Sequence, residues 1–199
     1  MVIRATRRAI IGGALVSLKS GRIELICGPM FSGKTTAMIA RLIAARDAGF
    51  DAVAIKPELD TRYSPCEIAS HDGRVYRALN ARDARAIRDM AKQSAVVGID
   101  EVHFFDESLV EVCRELAGRG TRVITAGVEI DHRGQPFETL SHLIRIAHEI
   151  TRLNAICARC GAAARHSQRL IPAAPDARIV VGGAGAYEPR CDRCFEPFP

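Results

Sequence analysis

The chain has 199 residues, 48% hydrophobic and 26% charged, with a formal net charge of +5. That suits one α/β domain with a sizeable core plus a small appendage, and no apolar run approaches the eighteen or so residues of a membrane span. Basic residues are interleaved with acids, aromatics make up 5% and tryptophan is absent, so neither a cationic tract nor a stacking platform for nucleic acid is expected.

Residues 1–20 stand apart. Arg4, Arg7 and Arg8 precede the apolar stretch Ala9 to Val16, which resembles a short twin-arginine signal peptide, but no small-residue cleavage site follows. They are read as a disordered extension outside the fold. A β-like run, Ile23 to Cys27, then enters Gly28-Pro29-Met30-Phe31-Ser32-Gly33-Lys34-Thr35, a complete G-x-x-x-x-G-K-T. Its glycines let successive N–H groups point at one anion, Lys34 adds positive charge and Thr35 offers a hydroxyl to Mg²⁺. The pattern from Lys34 to Ala48 predicts a helix whose N-terminus faces those phosphates. The loop therefore predicts binding of a nucleoside triphosphate such as ATP.

Further along, strands are expected over Asp51–Lys56, Ala95–Ile99 and Arg122–Ala126, with helices over Ala81–Gln93, Asp106–Ala117 and Thr139–Leu153. Gly49, Gly118 and Gly120 sit where helices should stop. This alternation predicts a P-loop NTPase-like parallel sheet flanked by helices. The strand ending at Ile99 runs into Asp100 and Glu101. At the carboxyl end of a parallel strand, Asp100 can hold Mg²⁺ through water beside Thr35, which leaves Glu101 free for proton chemistry.

Cys157-x-x-Cys160 and Cys191-x-x-Cys194 supply four thiolates, the donor set of one tetrahedral, structural zinc. Seven cysteines, an odd count with Cys27, Cys66 and Cys113 scattered, suit a reducing cytoplasm better than a disulfide framework. The expected organisation is residues 1–20 as extension, 21–152 as the ATP-binding P-loop domain and 153–199 as the zinc-binding unit, hinged near Leu153 to Ala155.

Four stretches together carry a family resemblance: G-P-M-F-S-G-K-T at 28–35, Asp60-Thr61-Arg62-Tyr63-Ser64, Ser70-His71-Asp72-Gly73, and Asp100-Glu101-Val102-His103-Phe104-Phe105. Arg133-Gly134-Gln135-Pro136-Phe137, the cysteine pairs and Val181 to Tyr187 extend it over nearly everything from Gly21 onward. The chain resembles the zinc-containing, tetrameric, cytosolic thymidine kinases. The resemblance implies transfer of the ATP γ-phosphoryl group to the 5′-hydroxyl of thymidine or deoxyuridine with Mg²⁺, in a homotetramer, with no nucleic-acid or membrane partner. It implies Glu101 as general base, Lys34, Asp60 and Arg62 around the phosphates, and Phe104, His132, Phe137, Ser167, Gly182 and Tyr187 around the nucleoside, with about 167–187 as a lasso over the base.

Three positions depart from the family pattern: His103 replaces a usual Gln, His132 an aromatic neighbour of the base, and Ser167 a usual Thr. A smaller, wetter ring at His132 and a missing methyl at Ser167 predict a looser grip on the base. The alternative reading is a nucleic-acid-dependent P-loop ATPase gripping strands with a zinc ribbon. It predicts a basic, aromatic segment between the cysteine pairs, where this chain has Ala162 to Ala164 and Gly182-Gly183.

Overall fold

The computed structural model describes residues 8–11, 14–17, 21–60, 66–70, 73–172 and 181–197. Two short strands before the domain, β1 (Arg8–Ile11) and β2 (Ala14–Ser17), pair antiparallel with each other and join no other sheet. From residue 21 onward the chain builds β3 (Ile23–Cys27), α1 (Lys34–Asp47), β4 (Ala52–Pro57), β5 (Glu67–Ala69), β6 (Val75–Ala81), α2 (Ala84–Met90) and β7 (Val96–Ile99). A 3₁₀ turn (Val102–Phe104), α3 (Ser108–Gly118), β8 (Arg122–Gly127), α4 (Glu138–Ile146) and β9 (Glu149–Arg152) complete the domain.

These strands form one seven-stranded sheet in the order β5-β6-β4-β7-β8-β3-β9. Every pairing is parallel except that of edge strand β5 with β6. Strand residues alternate between two apolar layers, as the period of two requires. On one face Leu25, Val97, Ile99 and Val123 pack with Ile87 of α2, Leu109 and Leu116 of α3, and Leu140 and Leu143 of α4. On the other, Ile26, Ala54, Val96 and Ile124 meet Met38, Ile39 and Leu42 of α1. Gly98 makes that second contact possible, because a Cβ there would lie 2.8 Å from Leu42 Cδ1.

One buried charge belongs to this second face. Glu24 of β3 is fully buried and accepts from Arg122 Nε at 2.6 Å and Nη2 at 3.0 Å, with Arg22 at 2.6 Å and Arg41 at 2.8 Å. Arg41 also donates to Thr151 Oγ1 at 2.8 Å, so the cluster joins α1, β3, β8 and β9. Burial alone would raise the Glu24 pKa, but Arg122, Arg22 and Arg41 outweigh it and hold the carboxyl below its usual range.

The expected helix over 139–153 stops at Ile146, and Glu149–Arg152 instead adds a parallel strand beside β3. The edge of β3 decides this: Ile23 O takes the His148 N–H at 2.8 Å, and the register then continues along β9. The helix expected over 81–93 is shorter, Ala84–Met90, because Asp83 caps it by accepting from Ala86 N at 2.8 Å, while Val75–Ala81 lies in the sheet. Beyond Leu153, β10 (Ala155–Ile156) pairs with β11 (Ala163–Ala164), and β12 (His166–Arg169) with β13 (Tyr187–Arg190).

If Glu24 holds these elements together by charge, Glu24→Gln should lower stability at pH 7 by about 3 kcal/mol, the usual cost of breaking a buried ion cluster. The folded pKa lies below the unfolded value of about 4.3, so the contribution is fully present above pH 5 or so and is lost as pH falls through the folded pKa. Thermal melts of the two proteins should accordingly begin to converge as pH falls below about 4 and meet only below the folded pKa; a gap that does not narrow over that range would assign the effect to packing.

Candidate active site

The phosphate loop joins the carboxyl end of β3 to the N-terminus of α1. Gly33 caps α1 with a left-handed backbone (φ 84°) and no side-chain cap, so the first-turn N–H groups face the cleft without a capping oxygen. Lys34 is buried and donates from Nζ to Pro29 O at 2.7 Å, which draws its charge inside the loop. Thr35 Oγ1 donates to Asp100 Oδ2 at 3.0 Å, joining the two motifs across β8. Asp100 Oδ1 accepts the Glu101 N–H at 3.0 Å. Burial, with the Glu101 charge adding to it, pushes the Asp100 carboxyl up to about 7.

Glu101 sits in the left-handed region (φ 49°), as does Phe31 (φ 66°). Among the described residues these are the non-glycine positions with that strain, and both lie at the cleft. At Glu101 the bend lets two consecutive acids do different things: Asp100 turns to Thr35 while Glu101 lines two adjoining clefts.

The larger cleft, about 870 Å³, is walled by Gly33, Lys34, Thr35, Asp60, Ser70, Asp100 and Glu101. Arg62 lies outside the described residues, as do Thr61, Tyr63, Ser64, His71 and Asp72. The smaller, about 460 Å³, brings together Phe104, His132, Phe137, Ser167, Gly182 and Tyr187, six residues from four segments far apart in sequence, with Met30, His103 and Val128. Met30 and Glu101 line both clefts.

The β12–β13 hairpin carries Ser167 and Tyr187 over the smaller cleft. Ser167 is buried, and its Oγ accepts the Met30 N–H at 2.9 Å, a direct link between hairpin and phosphate loop. The turn before β13 needs Gly182, since a Cβ there would lie 2.5 Å from Ala186 Cβ. His103 packs against Phe104 and Phe137, and its Nδ1 accepts the Val128 N–H at 3.3 Å, 3.5 Å from Glu101 Oε2. His132 accepts at Nε2 from Arg169 Nη1 at 2.9 Å. Sequence reasoning assigned nothing to Arg169, and a lone arginine 37 residues from its partner offers no local signal.

In the C-terminal unit the four sulfurs of Cys157, Cys160, Cys191 and Cys194 all lie within 4.8 Å of one another. Zn–S bonds of about 2.3 Å arranged tetrahedrally put sulfurs roughly 3.8 Å apart, so this quartet fits the ion with shifts of about 1 Å or less. Each pair closes on a tight turn, with Gly161 N donating to Cys157 O at 2.9 Å and Cys194 N to Cys191 O at 3.0 Å. Burial raises the Cys157 thiol, but backbone N–H groups of Cys191, Arg159 and Cys160 prevail and bring it down to about 6, favouring the thiolate a metal needs. Among the described residues this is the metal-ligand cluster, and no helix there is long and apolar enough to cross a membrane.

A family model described as thymidine kinase matches residues 21–195. A thymidine kinase of Rhodothermus sp. is 47% identical over 177 residues, covering 89% of this chain and 82% of that one. Those of Chloroflexus aurantiacus (45% over 184 residues, 89% and 95% covered) and Bacteroides thetaiotaomicron (41% over 177 residues, 89% and 88% covered) are similar along the same extent.

The raised Asp100 carboxyl makes the site costly to fold when ionised. Its folded pKa of about 7 exceeds the ordinary aspartate value of 3.8, so with chelator and no nucleotide the protein should lose stability as pH rises through the interval between them. Asp100→Asn should therefore melt above wild type at pH 8, with the gap closing near pH 4. Equal melting temperatures at pH 8 would mean that Asp100 carries no such penalty.

Proposed function

The chain belongs to the thymidine kinase family, and from that premise we propose how its residues divide the work of an ATP-dependent enzyme that phosphorylates thymidine. The observation that carries the assignment is Glu101, which lines both the phosphate cleft and the apolar cleft. In-line phosphoryl transfer needs one group at the junction of donor and acceptor, and a carboxylate there can take the proton from the attacking 5′-hydroxyl of thymidine or deoxyuridine.

ATP phosphates would lie on the 28–35 loop, with Lys34 released from Pro29 O to meet them and Arg62 as a second cation. Asp60 supports that corner through Lys56, whose Nζ donates to Asp60 O at 3.1 Å. Thr35 and Asp100, hard oxygen donors 3.0 Å apart, are the residues that would hold Mg²⁺. The ion, when bound, neutralises charge on the transferring phosphate. The pyrimidine would occupy the apolar cleft, with Phe104, Phe137 and Tyr187 against its faces and Ser167 and Gly182 at its edge. Zinc on Cys157, Cys160, Cys191 and Cys194 would pin both ends of the lasso and so lower the entropy lost when it closes.

This reading includes a homotetramer in the cytoplasm, in keeping with the family resemblance and, for the compartment, with an odd count of seven cysteines. The nucleic-acid-dependent ATPase is not favoured by the relatives. The hairpin between the cysteine pairs also turns Ser167 and Tyr187 inward, onto a cleft walled by Phe104, Val128 and Phe137.

Purified protein with ATP and Mg²⁺ should phosphorylate thymidine from a nucleoside panel, and turnover unaffected by thymidine but stimulated by DNA would reverse the conclusion. Glu101→Gln should retain ATP binding and lose roughly 10²- to 10⁴-fold in turnover, whereas Lys34→Ala should weaken ATP binding and turnover together. Turnover near wild type in Glu101→Gln would remove it from the role of base. Elemental analysis should find one zinc per chain, and Cys191→Ser should lose it yet still bind ATP; metal-free protein with these cysteines oxidised in pairs would contradict the zinc assignment.

A further inference from the structure

Within the apolar cleft, the chemistry of His132 is dictated by its neighbour. His132 is 2% exposed and its Nε2 lies 2.9 Å from Nη1 of Arg169, also 2% exposed. A guanidinium can only donate. Nε2 must then present its lone pair, and the proton of the neutral ring sits on Nδ1. Protonating the ring would oppose two N–H groups, and burial, with the Arg169 charge after it, keeps the His132 pKa below the ordinary histidine value.

Other charged groups around the ring are Asp131 and Arg133 on its own turn, with Glu101 and His103 on the cavity wall. Asp131 Oδ1 is turned to the backbone, accepting the Arg133 N–H at 2.9 Å and the Gln135 N–H at 2.8 Å. Among the described residues, the hydrogen bond of His132 is the one to Arg169, and it leaves Nδ1–H for a ligand. The walls beside it, Phe104, Val128, Ile130 and Phe137, are apolar.

Resting on the thymidine kinase reading of this cleft, we propose that His132 is a specificity-determining residue that donates from Nδ1 to a carbonyl oxygen of the pyrimidine. Arg169 is the positioning residue that fixes the donating tautomer. The departure from an aromatic at this place then trades ring contact for a directional hydrogen bond. A ligand without the matching acceptor leaves a buried N–H unpaired, which discriminates more sharply than lost apolar area.

The test compares kcat and KM for thymidine, 2-thiothymidine and 4-thiothymidine, in which sulfur, a weaker acceptor, replaces one carbonyl oxygen. In wild type one analogue should carry a penalty, expressed in KM, that is about 3- to 10-fold larger than in His132→Phe, the worth of one neutral hydrogen bond. His132→Asn, which keeps an N–H near the Nδ1 position, should retain the wild-type penalty. Equal penalties in wild type and His132→Phe for both analogues would overturn the proposal. Because His132→Phe deprives the buried Arg169 of this acceptor and can impair folding, ¹⁵N NMR of wild type gives a second readout: Nδ1 protonated and Nε2 bare from pH 6 to 8. A protonated Nε2 would overturn the proposal by itself. Failure of wild type to phosphorylate thymidine would instead sink the kinase reading, while leaving the tautomer measurable.

Discussion

The catalytic cleft depends on the register of three parallel strands. Leu25 of β3 and Ile99 of β7 both stand opposite Thr125 of the strand between them. Two residues later Cys27 faces Gly127, and Glu101 leaves β7 at that same level. The phosphate loop and the two acids therefore emerge in one layer, and Thr35 reaches Asp100 at 3.0 Å. A slip of one residue would exchange the faces of Val97 and Ile99 with those of Val96 and Gly98, placing side chains where α1 needs none. Core packing and active-site geometry are thus set by the same pairing.

Around this layer the site is assembled in two halves. The sheet supplies the polar half, rigid because its strands are buried on both faces. The apolar half is shared with the β12–β13 hairpin, which reaches the sheet through Ser167 and Met30. That bond enters at the phosphate loop itself, so the two clefts meet through one backbone amide as well as through Glu101.

What could be read in the sequence was local. The strand, loop and helix from Ile23 to Asp47, the acids after Ile99 and the cysteine pairs each declare themselves within a few consecutive residues, and their spacing carries the chemistry. What could not was decided by partners distant in sequence. In β6 the alternation is obscured, because exposed Val75 and Leu79 carry more apolar weight than buried Ala78 and Ala81. Residues 149–152 continue the apolar spacing of α4 and become strand only because β3 has an open edge. Most of the residues around the apolar cleft were reached through family resemblance, and their gathering around one cavity depends on folding of the hairpin. The His132–Arg169 bond was invisible to any local pattern, and it changes the expectation for His132: the ring is an anchored hydrogen-bonding group where a looser packing surface was expected.

The place occupied by Gly28 has a consequence for how this protein can be cut, fused or rebuilt. A Cβ on that glycine would lie 2.2 Å from the carbonyl oxygen of Leu153, whose N–H is held by Cys27 O at 2.8 Å. The connector to the cysteine-cluster unit is therefore laid across the first residue of the phosphate loop as part of its wall. Separating the units at 153 would unroof the loop, and a linker inserted there would press on it. The sequence boundary between the two units is not a seam for protein engineering, and a chimera exchanging the C-terminal part should keep residues 149–155 with the sheet they complete.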